Sequence, residues 1–318
     1  MDNLRLAFWK ARKGKSYARP VERYRADLEH NLVQLRAQIL SGEVLVGNYR
    51  FFKIFDPKER QICAPAFSEQ VLHHALMNVC HEYFERVQIF DSYACRKGKG
   101  TYAALDRAKG FSRKFRWFLK LDVRKFFDSV HHDVLKNQLD RRFKDWEVLR
   151  IFEKIIDSYQ TEPARGLPIG NLSSQYFANH FLNGLDHFVK NDLRVHGYVR
   201  YMDDLVLWHD DKAFLKNALQ ALSQYVETEL RCTLKAPILN QSLKGLSFLG
   251  YRIFPDRMLL NQNSKRRFIR KYREIEQNRK EGKWDEAYCQ QKVLPLLAFV
   301  CHADTLAWRK KLLLPERI

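Results

Sequence analysis

The stretch GYVRYMDDLVLW, residues 197–208, sets two adjacent acids, Asp203 and Asp204, between apolar flanks. Tyr198 and Val199 precede them, and Leu205, Val206 and Leu207 follow. Both flanks have strand composition. Side chains alternate faces along a strand and like charges repel, so an acidic pair does not help a strand. At the tip of a tight hairpin such a pair makes sense beside a cation. A divalent metal, taking oxygen ligands and bridging to phosphate, is the obvious one. The competing reading is a solvated turn, because Asp is a common turn residue. The rest of the chain decides between them.

Composition narrows the choice. The 318 residues suffice for one large domain or two to three compact units. A formal charge of +19 calls for an anionic partner, nucleic acid first and an anionic membrane surface second. With 46% hydrophobic residues the chain buries a substantial core and is not disordered. Cysteines at 63, 80, 95, 232, 289 and 301 form no CxxC pair, so neither a zinc site nor a disulfide framework is supported. A reducing cytoplasm fits that usage. The N-terminus holds no apolar run long enough for a signal peptide or membrane span. Its Arg and Lys residues with Leu6, Phe8 and Trp9 read as a basic arm lying on RNA or on the protein itself.

Working outward from 197–208, residues 20–40 show helical spacing at Tyr24, Leu28, Leu32, Leu35 and Ile39, with Gly42 as a stop. Residues 49–64 predict a β-hairpin turned at Asp56-Pro57. Residues 67–88 predict a helix; its adjacent His73 and His74 point in different directions and do not share a metal. Residues 91–104 (DSYACRKGKGTYAA) are a Gly-punctuated basic loop. Residues 116–123 (RWFLKLDV) are a buried-type strand ending in an acid. Two helices are expected over 134–160, then a GLPIG turn entering a helix that runs to about 193. A helix over 211–230, a strand at 232–236, a strand pair over 245–254 and a basic helical tail from 263 complete the pattern. This order predicts an α+β fold, a sheet backed by helices, and not alternating βαβ units. The tail reads as a separate lobe. Boundaries fall at 1–48 (basic arm and helix), 49–262 and 263–318.

Asp122 closes the strand at 116–123 and supplies a third acid. With Asp203 and Asp204 it would place three carboxylates on one sheet edge, a self-repelling cluster unless divalent ions neutralise it. Two such ions are the standard arrangement for in-line phosphoryl transfer, and Mg²⁺ suits carboxylate plus phosphate oxygens. The loop cations Arg96, Lys97 and Lys99 are candidates for clamping a triphosphate. The hairpin-tip residues Lys58 and Arg60 are candidates for the same task or for template phosphate.

Seven blocks in order resemble reverse transcriptases, right-handed RNA-directed DNA polymerases, along nearly the whole chain. Residues 49–76 and DSYACRKGKGTYAA resemble the two fingers blocks. FLKLDVRKFFDSV resembles the palm block with the first catalytic aspartate. GLPIGNLSSQYFANHFLNGLD resembles the block under primer–template and nucleotide. YVRYMDDLVLW resembles the signature hairpin, and LKAPILNQSLKGLSFLGYRI covers the last two palm blocks. The resemblance implies a right-hand fold with fingers, palm and a short helical thumb. It implies two Mg²⁺ ions, with Mn²⁺ as substitute, held by Asp122, Asp203 and the Val123 carbonyl, with Asp204 completing the triad. Phe127 matches the steric gate against a ribose 2′-OH, with core packing as its alternative. Arg96 and Lys99 match the triphosphate cations. Lys235 matches a palm lysine near the leaving pyrophosphate, with a solvated strand-end lysine as its alternative. Tyr201 and Met202 would contact the primer end or simply pack. Arg266, Arg267, Arg270 and Lys271 lie where the family's thumb grips duplex backbone. Template RNA, cDNA primer and dNTPs are the implied partners; no membrane is.

Residues 167–175 (LPIGNLSSQ) depart from the commoner pattern. Ile169 stands where many reverse transcriptases have Gln, and Gln175 where many have Pro; Gly170 is kept. The form resembles reverse transcriptases of diversity-generating retroelements. An apolar Ile169 cannot hydrogen-bond near the incoming sugar, which would loosen geometric checking of the base pair. That family copies template RNA with errors concentrated at adenines and works with a small basic helical-bundle accessory protein. The HADT stretch at 302–305, followed by Arg309, Lys310 and Lys311, resembles its C-terminal ends. Group II intron, retron-like and defence-associated enzymes are the alternatives, and an RNA-binding maturase-like role without polymerisation is a further one. A compact chain without a DNA-cutting or zinc-finger tail weighs against a full-length group II intron protein.

Overall fold

The computed structural model describes residues 1–313 except Ser16 and Pro57. The second residue of the expected Asp56-Pro57 turn and residues 314–318 of the basic tail thus lie outside the described residues. The chain opens with α1 (Asp2–Arg12). The helix expected over 20–40 is two, α2 (Arg19–Ala26) and α3 (Leu28–Ser41), because Asp27 leaves helical geometry at φ −129°, ψ 54°. Gly42 ends α3 in the left-handed region at φ 69°, where a side chain would be strained. β1 (Tyr49–Ile54) and β2 (Arg60–Pro65) form a separate antiparallel hairpin. It leads into α4 (Phe67–Glu85), against which α1 buries Leu4, Ala7, Phe8 and Ala11. The basic arm therefore lies on the protein itself, with Leu6 and Trp9 exposed. His73 and His74 do part: His73 is buried at 3.2 Å from Glu69, and burial with nearby Lys10 and Lys15 pushes His74 down to about 4.

After α5 (Thr101–Lys114), the central sheet begins with β3 (Trp117–Asp122). A helical stretch follows: α6 (Phe126–Ser129), α7 (His132–Arg142), α8 (Trp146–Asp157), α9 (Leu172–Phe181), α10 (Asn183–His187) and one π-helical turn, Phe188–Asp192. β4 (Gly197–Tyr201), β5 (Asp204–His209), α11 (Lys212–Thr228) and β6 (Ile238–Gln241) complete the sheet, with spatial order β4-β5-β3-β6 and every pairing antiparallel. The strand expected at 232–236 is reduced to one bridge between Leu234 and Val123. The physical reason lies in its partner: past Asp122 the chain turns away, with Lys125 at φ 45°, so nothing is left to pair. The strand forms instead at β6, against the body of β3.

β7 (Leu246–Phe248) and β8 (Tyr251–Ile253) make the expected pair, joined by β9 (Met258–Leu260), three residues too short to show alternation. α12 (Gln262–Lys280), α13 (Glu286–Cys301) and α14 (Leu306–Leu313) form the tail. It is not a separate lobe, because Phe268, Val300 and Ala303 share one core with Trp208, Leu246, Tyr251 and Ile253. The HADT stretch is a corner in that core. The Asp304 carboxylate accepts from Met258 N–H at 2.8 Å, and His302 lies 4.2 Å from the Tyr102 ring. Among the described residues no helix is long and apolar enough to cross a membrane.

Period-two alternation splits the central sheet between two cores. Leu119, Leu121, Leu205, Leu207 and Tyr198 face the helices, in the cluster that holds α7, α9 and α11 residues. Phe118, Val199, Val206 and Trp208 face α5 and the small three-stranded sheet. This is the expected α+β architecture, an antiparallel sheet backed by helices.

Candidate active site

The same alternation gathers the expected site. Lys120 and Asp122 on β3, Asp204 on β5 and Tyr201 on β4 share the face that carries Phe118 and Trp208. Asp122 and Asp204 are direct partners in the register, as are Tyr201 and Asp204. Met202 and Asp203 make the two-residue turn between β4 and β5. Met202 adopts φ 56°, a left-handed conformation rare for a residue with a side chain. Tyr201 donates to or accepts from Thr101 at 3.0 Å and packs on the second core, while Met202 packs on the first.

Two lysines neutralise the paired acids. Lys120 Nζ stands 2.9 Å from Asp204 Oδ1, and Lys235 Nζ stands 2.6 Å from Asp122 Oδ1. Lys120 was not singled out from sequence, although its place two residues before Asp122 puts both on one strand face. Among the described residues Asp203 has no ion-pair partner, and it is pushed up to about 6, first by burial and then by repulsion from Asp122 and Asp204. Burial also raises Asp204, against the opposing pull of Lys120. The third acid is thus held close to, and in conflict with, the other two.

The donor set fits a divalent cation. Asp122 Oδ1 and Asp204 Oδ1 are buried atoms with no well-directed hydrogen bond, each having only an ammonium within ion-pairing distance. Among the described residues the Val123 carbonyl carries no backbone hydrogen bond, whereas the Asp122 carbonyl is taken by Lys235 N–H at 2.8 Å. Among those residues no three His, Cys, Asp or Glu side chains form a ready-made metal cage. The expected three-carboxylate cluster is therefore one facing pair, Asp122 and Asp204, with Asp203 contributing from the turn. A metal here would draw further ligands from the Val123 carbonyl and from substrate oxygens.

Beside the strand end lies a cavity of about 620 Å³, lined by Arg60, Arg124, Lys125, Arg165, Arg231 and Ile169 among others. Its floor reaches the end of β3, since Arg124 N–H donates to the Thr233 carbonyl next to the Val123–Leu234 bridge. Of the cations named from sequence only Arg60 lines it; exposed Lys58 does not. Arg124 and Lys125 follow Asp122 directly and were legible there, whereas Arg165 and Arg231 arrive from distant segments.

Arg96 and Lys99 lie away from this cavity, on the 91–104 loop. Arg96 donates to Glu85 through Nε and Nη2 and to the Ile89 and Ser92 carbonyls through Nη1. It is a loop staple, with four of its five N–H groups spent on its own neighbourhood. Lys99 Nζ donates to the Phe90 carbonyl at 2.9 Å and stands 3.3 Å from the centre of the Phe90 ring. Both cations fold the loop onto its own carbonyls. The loop also extends the sheet edge: Tyr93 N–H donates to the Arg200 carbonyl, and Arg200 N–H donates to the Asp91 carbonyl.

The remaining candidates sort as follows. Phe126 is buried, whereas Phe127 is half-buried beside it at 5.6 Å, its carbonyl accepting from Leu167 N–H. The Ile169 carbonyl accepts from Cys63 N–H at 2.8 Å, sewing the palm loop to β2. Gly170, at φ 126°, passes so close to β2 that a Cβ would sit 2.9 Å from the Cys63 carbonyl oxygen. Gln175 is half-buried on α9, and Arg266 is exposed on α12. Arg267, Arg270 and Lys271 converge on Asp56 at the hairpin tip, the first two at 3.9 Å. They face the fingers hairpin, with Arg270 still largely exposed.

Sequence reasoning also missed a buried network under the turn. Arg200 and Asp186 are each 0% exposed and paired at 2.6 Å. Asp186 further accepts from Tyr198 Oη, and Arg200 donates to Asn179 Oδ1 and to the Met202 carbonyl.

An antiparallel palm with an acid at a strand end facing acids in a neighbouring tight turn, flanked by a hairpin and a helical tail, defines a right-hand polymerase fold. The chain belongs to the family described as "Reverse transcriptase (RNA-dependent DNA polymerase)", which matches residues 56–253, more than half its length. It is 21% identical over 65% of its length to a protein of COX1/OXI3 intron 2 from Saccharomyces cerevisiae, covering 31% of that protein. It is 25% identical over 42% of its length to the group II intron-encoded protein LtrA of Lactococcus lactis, covering 23% of it. The chain thus spans less than half the length of these relatives. Its fold is similar to that of Candida tropicalis telomerase in complex with a fragment of telomeric RNA, with TM-score 0.53, 12% identity, and coverage of 88% of this chain and 58% of that one.

Proposed function

We propose that the chain is an RNA-directed DNA polymerase that extends a primer on a template RNA. The observation that carries this is the facing pair Asp122 and Asp204, with Asp203 in the adjoining turn, set beside a basic cavity. Asp122, Asp203 and the Val123 carbonyl would hold two Mg²⁺ ions, or Mn²⁺ in their place, which when bound activate the primer 3′ oxygen and stabilise the leaving pyrophosphate. Arg60, Arg124 and Lys125 receive the triphosphate of the incoming dNTP. Lys235, held on Asp122 until substrate arrives, is the nearest cation for the departing pyrophosphate. Phe127 stands one residue past the buried Phe126 and blocks a 2′-OH. Tyr201 and Met202 border the primer end. Residues 49–262 act as fingers and palm, and 263–318 as the thumb, with Arg266 on duplex backbone.

We read the copying as error-prone at adenines, in a diversity-generating retroelement with its basic accessory protein. Ile169 supports this, because it lines the nucleotide cavity with an apolar surface where a polar side chain would check geometry. The intron-encoded relatives favour a second reading, intron mobility or maturation. Primer extension on an RNA template decides the first point: the wild type extends with dNTPs and Asp203→Asn does not. A wild type that binds RNA without extending a primer establishes the maturase reading. Sequencing cDNA from wild type and Ile169→Gln tests fidelity; equal, low adenine misincorporation in both removes the diversification reading.

A further inference from the structure

Arg200 braces the acidic turn from its helix side. It projects from β4 away from the acids, toward the helices. Nε and Nη2 form a fork with both Asp186 oxygens at 2.6–2.9 Å. Nη1 donates to Asn179 Oδ1 and to the Met202 carbonyl, both at 3.1 Å. Nη2 also reaches Gln88 Oε1 at 3.3 Å. Asn179 in turn donates to the Ala94 carbonyl at 2.9 Å. The backbone of Arg200 is meanwhile bonded to residues 91 and 93. Side chain and backbone together, Arg200 therefore ties α9, α10, the turn after α4 and the 91–94 loop to the carbonyl immediately before Asp203.

Stability alone does not account for this. A buried ion pair can be replaced by apolar side chains of similar volume with little loss of stability, and often a gain. What apolar side chains cannot do is hold the Met202 carbonyl. That carbonyl belongs to a residue at φ 56°, which an L side chain adopts only when its surroundings impose it. The next residue is Asp203, the acid without a lysine of its own. A turn free to relax would carry that carboxylate away from Asp122.

We propose that Arg200, fixed by Asp186, is a positioning residue that locks the Met202–Asp203 turn so that the Asp203 and Asp122 carboxylates can share a divalent cation. This rests on the polymerase reading of the acids. Two variants test it in the full chain without nucleic acid. Arg200→Met combined with Asp186→Leu removes the charges together. Arg200→Lys keeps a countercharge for Asp186 but lacks the planar fork. Free Mn²⁺ is titrated by electron paramagnetic resonance, and folding is followed by circular dichroism.

Both variants are expected to fold and to bind Mn²⁺ about tenfold more weakly, with primer extension falling in parallel. Adding Met202→Gly to Arg200→Lys relieves the backbone strain and is expected to restore part of the affinity. Wild-type Mn²⁺ affinity in either folded variant overturns the clamp and leaves the polymerase reading intact. A wild type that binds no Mn²⁺ overturns both. If the double variant does not fold, Arg200→Lys and its glycine rescue decide alone, and absence of rescue with unchanged affinity overturns the proposal.

Discussion

The two faces of the central sheet treat buried carboxylates in opposite ways. On the helix side, Asp186 receives hydrogen bonds from Tyr198 and from two nitrogens of Arg200, and nothing about it is left unpaired. On the other side, Asp122 and Asp204 each meet one flexible lysine, and for Asp203 burial and its fellow acids outweigh a weaker pull from Lys235. Desolvating an ion is costly unless geometry and hydrogen bonds compensate it. The first site satisfies that condition from within the chain. The second does not, and three carboxylates against two ammonium groups leave it with the charge sign that would draw a cation. Structural and functional charges are thus told apart by completeness, not by burial.

The sharpest way to break this contrast is Asp203→Asn. It should lower primer extension by at least about 1,000-fold, as loss of a reacting-site group does. It should also stabilise the protein, because the sign of the linkage is reversed from the usual acid. Asp203 has its folded value raised from 3.8 to about 6, so the folded state binds the proton more tightly. Its ionisation therefore costs stability as pH rises through that window, and the cost is complete by pH 7. The Asn variant should be roughly 1–3 kcal/mol more stable at pH 7, the gain shrinking as pH falls from 6 toward 4. Thermal melts across pH, read beside activity, check both halves. An unchanged or lower melting temperature at pH 7 would remove the claim of an electrostatic deficit.

Next in size is Asp186→Ala, which strands Arg200 without its partner. It should destabilise by about 3–5 kcal/mol, measured by denaturant unfolding. The same change at Asp204 should cost far less, since Lys120 can turn to solvent. If the two cost the same, the faces do not differ as described. Smaller again, Arg60→Ala should raise the KM for dNTP about tenfold with little change in melting temperature, as loss of one charge-assisted phosphate contact does. Arg96→Ala should do the reverse, lowering stability while leaving KM near its original value. Steady-state kinetics on RNA template–primer separates them. The smallest effect is expected with Mg²⁺ alone: a rise of a few degrees in melting temperature at pH 7 that fades below pH 6, where Asp203 takes up its proton.

How much of this was legible in the residues follows from the range of the signals. The hairpin at 197–208 and the strand ending at Asp122 were readable because period-two alternation and adjacent acids are local. The face shared by Asp122, Asp204 and Lys120 needed only that alternation plus a register. The contacts of Arg96 and Lys99 could not be read, because a basic loop looks the same whether its cations reach outward or close on Glu85 and the Phe90 carbonyl. Asp186 and Arg200 could not be matched, since a charged residue in a helix and one in a strand pair only after the fold brings them together. The break at Asp27 and the three-residue β9 lie below the resolution of any periodic pattern.

Asp56 offers a last consequence. It gathers Arg267, Arg270 and Lys271 from the thumb onto the fingers hairpin, and these cations hold its carboxylate below the usual range. In effect it is a tethered counterion. Nucleic-acid binding draws much of its driving force from mobile salt ions set free when cations meet phosphate. Here an RNA–DNA duplex entering under α12 would exchange a carboxylate that stays attached to the chain, releasing fewer free ions than three basic side chains suggest. The thumb's affinity should accordingly fall less steeply with salt than its charge count implies, and cutting the tether with Asp56→Ala should steepen that slope.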